Sequence, residues 1–410
     1  MTPEIEQRIA QIQRGEMPEG YKKGKLGIVP EEWEDTPFVT LFTSTSDYTD
    51  DLEKYPLYSL TIEDGVTPKT ERYERSHLVK KDDSYKIVRP NDYAYNPMNL
   101  RFGAVARHKG NISVAVSGYY DIFTTVYKSD LPFIDSFLTC DPMIAYYNRV
   151  STGSLIEKQR VHFSQFLEFV LPLPSLDERA KIAAILTTQD KVIELKEKLL
   201  AEKLQQKKYL MQQLLTGKKR LPGFSKVWKN VRLRDLCTYS NKHSAGSSTT
   251  YVSTENMLSN LSGSVVFEAK DCPVTGIEYQ KGDILIGNIR PYLKKIWLAD
   301  RNGICSSDVL VLHIHDDISA NIYNFIATDK FFLYIMVGAK GSKMPRDDKK
   351  QIMDYQLSIP MDDVEKESVC RVLFAADYEI ELLQQDIEQE KQKKKALMQL
   401  LLTGIVRVKI

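Results

Sequence analysis

The chain has almost no excess of either charge. Across 410 residues, 56 Lys and Arg stand against 55 Asp and Glu, a formal net charge of +1. That balance excludes a global electrostatic footprint for a polyanion, so any nucleic acid must be met by local patches. Cysteine is scarce and scattered: Cys140, Cys237, Cys272, Cys305 and Cys370 form no CxxC pair. The spacing excludes a zinc ribbon and a disulfide framework, and it fits reduced, mostly packed thiols in a cytoplasmic protein. The first fifteen residues, MTPEIEQRIAQIQRG, are polar and helix-forming rather than a signal sequence. No apolar run reaches about 18 residues, so neither secretion nor a membrane span is expected.

Catalytic signals are equally thin. There is no GxxxxGK[ST], and GYKKGKLG has the wrong spacing for a phosphate loop, so no ATP-driven motor is expected. YNPMN (95–99) is superficially like the adenine-holding loop of amino-methyltransferases. It lacks the second proline and the aromatic, and no glycine-rich strand for S-adenosylmethionine accompanies it. Asn96 and Asn99 are therefore expected to cap a turn or to touch DNA. His313, His315 and Asp317 alternate in LHIHDD but are read as an ordinary strand end. No catalytic residue and no metal site is expected, and no cysteine is placed to act as a nucleophile.

What the chain does have is a repeat. KKYLMQQLLTG (207–217) and KKALMQLLLTG (394–404) share nine of eleven residues at an offset of 187. Upstream of each, about 40 residues lack Gly and Pro. At the same offset Leu186, Ile193, Leu200, Lys207 and Leu214 map onto Leu373, Ile380, Ile387, Lys394 and Leu401. A seven-residue spacing is that of a helix packed along its length on another helix. Both segments open after proline with acidic residues, where the helix dipole favours them, and close at Thr-Gly. At about 1.5 Å per residue they are rods of roughly 55–60 Å. The simplest burial of both stripes is antiparallel, one on the other.

The intervening stretches repeat more faintly. Trp33–Phe38–Leu41 matches Trp228–Leu233–Leu236 in spacing, and 90–103 parallels 281–294 as turn, apolar strand and polar loop. Residues 118–127 parallel 305–314, and 159–174 parallel 345–360 as a short helix leading to a strand that stops at proline. The order is globule, rod, globule, rod, with a short helix at 3–14 expected to pack where the second rod ends.

This ordered set resembles the specificity (S) subunit of type I restriction–modification systems. The resemblance rests on GIVPEEW (Gly27, Ile28, Pro30, Glu31, Trp33), the LPLPSLDER junction and the doubled KK-LMQ-LLTG helix end, and it spans nearly the whole chain. It implies a mixed α/β (α+β) fold with two globular target recognition domains separated by two long antiparallel helices forming a coiled coil, with an internal pseudo-twofold repeat. The expected segments are a helical arm (1–24), a first target recognition domain (25–174), a central helix (175–217), a second domain (218–360) and a C-terminal helix (361–410). The resemblance also implies a non-catalytic subunit that reads a bipartite, asymmetric sequence in double-stranded DNA, one half-site per domain. Its implied partners are two methyltransferase (modification) subunits and restriction/translocase subunits. S-adenosylmethionine, ATP and Mg are expected only in those partners.

DNA-facing candidates are loops that mix basic with amide or aromatic groups, because Lys and Arg hold phosphates while Arg, Asn and Gln read base edges. In the first globule they are Arg72, Tyr73, Arg75 and His77, then Asn99, Arg101, Arg107, His108 and Lys109. In the second they are Lys242, His243, Asn288, Arg290, Tyr292, Lys294 and Lys295, then Lys340, Lys343, Arg346, Lys349 and Lys350. Two readings of other classes compete: a coiled-coil scaffold whose globules bind proteins, and a stand-alone DNA-binding regulator. A steep salt dependence of DNA affinity separates DNA binding from the scaffold, and co-purification with a methyltransferase separates the subunit from the regulator.

Overall fold

The computed structural model describes residues 3–69, 85–154, 159–263, 265–267, 272–315, 319–338 and 348–409. Contacts divide the chain into two compact units, Met1–Glu197 with Gln385–Ile410, and Lys198–Gln384. Both divisions fall inside long helices. Each unit therefore holds the start of one rod, the end of the other, and a globular head.

The rods are single helices of 39 residues each, Leu176–Leu214 and Asp363–Leu401. Their starts are built from the predicted residues. The Ser175 hydroxyl accepts from the Glu178 amide at 3.3 Å, and Asp362 accepts from the Val364 amide at 3.1 Å. Their ends are alike as well. Gly217 and Gly404 take left-handed conformations (φ 68° and 72°). Beyond them, the Lys219 amide reaches back to the Gln213 carbonyl and Val406 to that of Leu400, satisfying carbonyls the helix leaves open.

In the first unit the early part of the first rod runs antiparallel to the late part of the second. Lys394 pairs with Asp190 (2.5 Å), Lys391 with Glu197 (2.7 Å), and Lys196 with Asp386 and Glu390 (2.8 and 2.9 Å). In the second unit Lys203 pairs with Glu379 at 2.6 Å and Lys207 with Asp377, again with one number rising as the other falls. The lysines that interrupt the apolar stripes are thereby explained. Lys207–Asp377 and Lys394–Asp190 are one ion pair written twice at the offset of 187.

The stripe residues divide into two groups. Ile193, Ile380 and Ile387 are buried and Leu200 is half-buried, as a helix seam requires. The outer ones also belong to head cores. Leu186 and Leu401 join the first core, and Leu214 and Leu373 join the second. The helix ends are thus part of the heads, which anchors each head to both rods.

The two heads share a frame. The first has an antiparallel sheet in the order Val105–Arg107, Tyr93–Tyr95, Asp121–Thr125, Phe42–Thr45. The second has the same order in Ile296–Leu298, Ile284–Gly287, Val309–Ile314, Cys237–Tyr239. In each, the strand after the entry tryptophan pairs with the strand that leads into the long helix: Glu34–Pro37 with Val170–Leu173, and Trp228–Arg232 with Gln356–Pro360. The expected short helices precede those strands, at Phe163–Leu167 and Lys349–Asp354.

Core chemistry differs between them. The first packs Phe38, Phe42, Phe123, Phe166 and Phe169 with mostly edge-on ring contacts near 5 Å, whereas aliphatic side chains fill most of the second. Four cysteines are buried, and burial pushes the thiols of Cys140, Cys237 and Cys305 up to about 12, so they stay protonated packing groups.

The N-terminal helix Pro3–Gln13 docks where the second rod stops. Arg8 donates to the Ile405 carbonyl at 2.9 Å, and the Tyr21 hydroxyl donates to Gly404 at 2.8 Å. No helix among the described residues is long and apolar enough to cross a membrane.

Candidate nucleic-acid interface

Within each head, the hairpin between the two central-to-edge strands carries a polar loop around a short 3-10 turn. These turns, Leu100–Phe102 and Pro291–Leu293, occupy equivalent places in the two sheets. Their loops hold Asn99 and Arg101 in the first head, and Asn288, Arg290, Tyr292, Lys294 and Lys295 in the second.

In the first head the Asn96 side chain accepts from the Met98 amide at 3.1 Å, so Asn96 caps the turn as expected. Asn99, Met98 and Phe102 are exposed. Arg101 donates to Gln159 Oε1 at 3.2 Å and lies 4.6 Å from the centroid of the Phe102 ring. Its loop is pinned by Asn148, which donates to the Arg101 carbonyl at 2.7 Å.

Two residues of this set are structural. Arg107 is chelated by Asp135 (3.0, 3.1 and 2.7 Å) and also donates to Asn91 Oδ1 at 2.6 Å, leaving its fork occupied. Those bonds hold its pKa above the ordinary arginine value. His108 is 2% exposed, with Nε2 at 2.7 Å from the Ile112 carbonyl. Lys109 stays exposed, 3.8 Å from Asp135. Arg72, Tyr73, Arg75 and His77 lie outside the described residues.

The second head shows the same sorting. Lys294 donates to Asp329 at 2.6 Å, and this lysine holds the Asp329 carboxyl below its usual range. Lys295 donates to the Thr254 carbonyl, and burial lowers its pKa. Asn288 is buried, with its amide N–H on the Asp308 carbonyl at 2.9 Å. Arg290 and Tyr292 are exposed. Lys242 is exposed but paired with Glu278 at 2.6 Å, and His243 is exposed at the start of a strand. Lys349 and Lys350 are exposed in the first turn of Lys349–Asp354, whose cap Asp348 accepts from the Lys350 amide at 2.9 Å. Lys340, Lys343 and Arg346 lie outside the described residues.

His313 is 2.7 Å from Asp283 Oδ1, and Asp317 lies outside the described residues. Among the described residues no group of three or more His, Cys, Asp or Glu is placed to hold a metal.

A repeated buried ion pair escaped the sequence reading. Arg407 donates to Glu178 (2.7 and 3.0 Å), and Arg220 donates to Glu365 (2.9 Å for one of its two bonds). Both members map onto each other at the offset of 187. Each pair clamps the start of one long helix to the segment just past the end of the other. The signal was present in LDER, in DDVEKE and in the basic residue after each LLTG, hidden because the two members lie so far apart in sequence.

No protein-family model matches the sequence. Solved structures do match. One is a chain from a study of complex assembly and conformational transition of the type I R-M system, with a TM-score of 0.56 and 13% identity, covering 92% of this chain and 99% of that one. Another is the type I restriction–modification S subunit from M. genitalium, with a TM-score of 0.52 and 12% identity, covering 90% and 96%. The fold is that of a type I S subunit. Within the S-subunit fold, the divergent parts of this chain are the head loops just described, while the duplicated parts are the rods, their clamps and the strand frame.

Proposed function

We propose that this chain is the sequence-specific DNA-binding subunit of a type I restriction–modification complex. Each head reads one half of a bipartite, asymmetric duplex sequence. The duplicated rods offer two equivalent faces to two methyltransferase subunits, with restriction subunits completing the assembly. Methyl transfer and cleavage belong to those partners, as do S-adenosylmethionine, ATP and Mg.

One observation carries the reading. The two heads keep the same strand order and the same helix clamps, yet the exposed loop residues differ: Met98, Asn99 and Phe102 in one, Arg290 and Tyr292 in the other. A protein binding one partner twice would keep its loops. A protein reading two different half-sites must vary them while holding the frame that aims them.

Selection from a random duplex pool by the full-length chain tests this. A motif of two fixed half-sites separated by a gap of fixed length should emerge, with affinity falling steeply as salt rises because phosphate contacts release counterions. Absence of any enriched motif, or enrichment of one uninterrupted motif, would sink the proposal.

A further inference from the structure

Five described non-glycine residues have positive φ, and four of them meet at one place in the second head. Asn260 (φ 61°) and Leu261 (φ 59°) lie in one loop, and Arg290 (φ 56°) and Lys294 (φ 50°) bracket the Pro291–Leu293 turn in another. The loops bond to each other. The Asn260 amide donates to the Leu293 carbonyl at 2.8 Å, and the Leu261 amide donates to that of Lys294 at 3.0 Å. Left-handed backbone is unfavourable for any side chain with a Cβ, and for a leucine especially so. Such strain persists only where the surroundings over-determine it, and it concentrates at functional sites.

The first head shows that the frame does not require it. At the place of Lys294 the first turn ends in Gly103, which takes positive φ without a Cβ, and at the place of Arg290 it has Asn99 with φ −105°. In the second head Lys294 is compensated by its bond to Asp329, and Lys295 is tied to the Thr254 carbonyl. Asn288, at the root of the loop, is buried, and its Oδ1 lacks a partner among the described residues. Arg290 is exposed, and among the described residues its guanidinium has no hydrogen bond or ion pair. Among the described residues no side-chain bond of Arg290 offsets the strain there; only its carbonyl is engaged, accepting from the Leu293 amide at 2.9 Å.

We infer that the 288–295 loop is the base-reading element of the second head, and that Arg290 reads a guanine in that half-site through the bidentate fork. Lys294 and Lys295 brace the loop and do not touch DNA. This rests on the proposed DNA-reading function and names the residue that performs it. The fork matches the O6 and N7 acceptors of guanine in the major groove, whereas a lysine ammonium reaches them without that fixed planar alignment and discriminates less.

The test compares duplex selections by full-length wild type, Arg290→Lys and Arg290→Gly. The lysine keeps the charge, and the glycine removes the strain along with the side chain. Both variants should fold, with Arg290→Gly at least as heat-stable as wild type. Both should lose a guanine preference in one half-site, about ten- to hundred-fold in affinity for the selected duplex. The other half-site and the gap should be unchanged. If wild type selects a bipartite motif and Arg290→Lys selects the same one with equal discrimination, the loop assignment fails while the function stands. The same holds if Arg290→Gly weakens all duplexes equally, which would mark a phosphate contact. If wild type selects no bipartite motif, the function fails and takes the assignment with it.

Discussion

Replacing Arg407 by methionine isolates one of the two buried clamps. The Glu178 carboxylate is 2% exposed and has three donors to it: Arg407 Nε at 2.7 Å, Arg407 Nη2 at 3.0 Å, and the Trp33 indole at 3.3 Å. Methionine keeps much of the aliphatic stem and removes both short charge-assisted bonds to Glu178, together with two bonds at 3.0 Å to the exposed Glu32, a pair that contributes little. Glu178 then stays buried with one long indole contact. Breaking a buried pair from one side costs about 3–5 kcal/mol, because the remaining charge is left desolvated. The Arg407 side chain is itself 29% exposed, which places the loss at the low end of that range. The expected loss is therefore about 3 kcal/mol. In a unit of this size that lowers the melting transition by roughly 6–12 °C. Thermal unfolding followed by circular dichroism reads it directly. The double variant Glu178→Gln with Arg407→Met removes the stranded charge and should recover most of the loss. A loss under about 1 kcal/mol for the single variant, or strictly additive effects in the pair, would refute the claim that the clamp is a buried, coupled unit.

The helix ends provide a second comparison. A Cβ at Gly404 would stand 2.5 Å from Pro30 and 2.9 Å from Trp33, against 3.2 Å from Trp228 at Gly217. Both alanine variants bear left-handed strain of about 1–2 kcal/mol, and Gly404→Ala should cost clearly more; equal melting temperatures would contradict the packing described. Acid should loosen the rods. Bonds from Lys196 and Gln189 hold the Glu390 carboxyl down to about 2. Because the folded value lies below the unfolded one, its contribution is complete above about pH 4.5 and is lost as pH falls toward about 2. Glu390→Gln should flatten the acid limb of a melting-temperature profile, and an unchanged limb would assign acid sensitivity elsewhere. Finally, a matched extra helical turn in both rods should lengthen the gap in the selected duplex and leave both half-sites alone; altered half-sites would contradict a spacer role for the rods.

Much of the frame was legible because it is written twice. The seven-residue spacing, the proline starts and the Thr-Gly ends located both long helices, and the matched spacing after the two tryptophans marked equivalent segments of the two heads. The candidate interface was legible only as loops. Which basic groups are available depends on partners far along the chain. Arg107 finds Asp135 28 residues away, Lys294 finds Asp329 35 away, and Lys295 finds a carbonyl 41 away. No local pattern records such pairings. Nor does the heptad register of Leu186, Leu214, Leu373 and Leu401 record that these leucines also join the head cores.

The central claim is that this chain gives a modification complex its two-part DNA target. Mapping methylated bases across the host genome, with the gene intact and deleted, measures that most directly. The account predicts methylation at a bipartite motif of two unlike half-sites, absent from the deletion strain and restored by the intact chain. A genome whose methylated motifs are all uninterrupted, or are unchanged by the deletion, would contradict it.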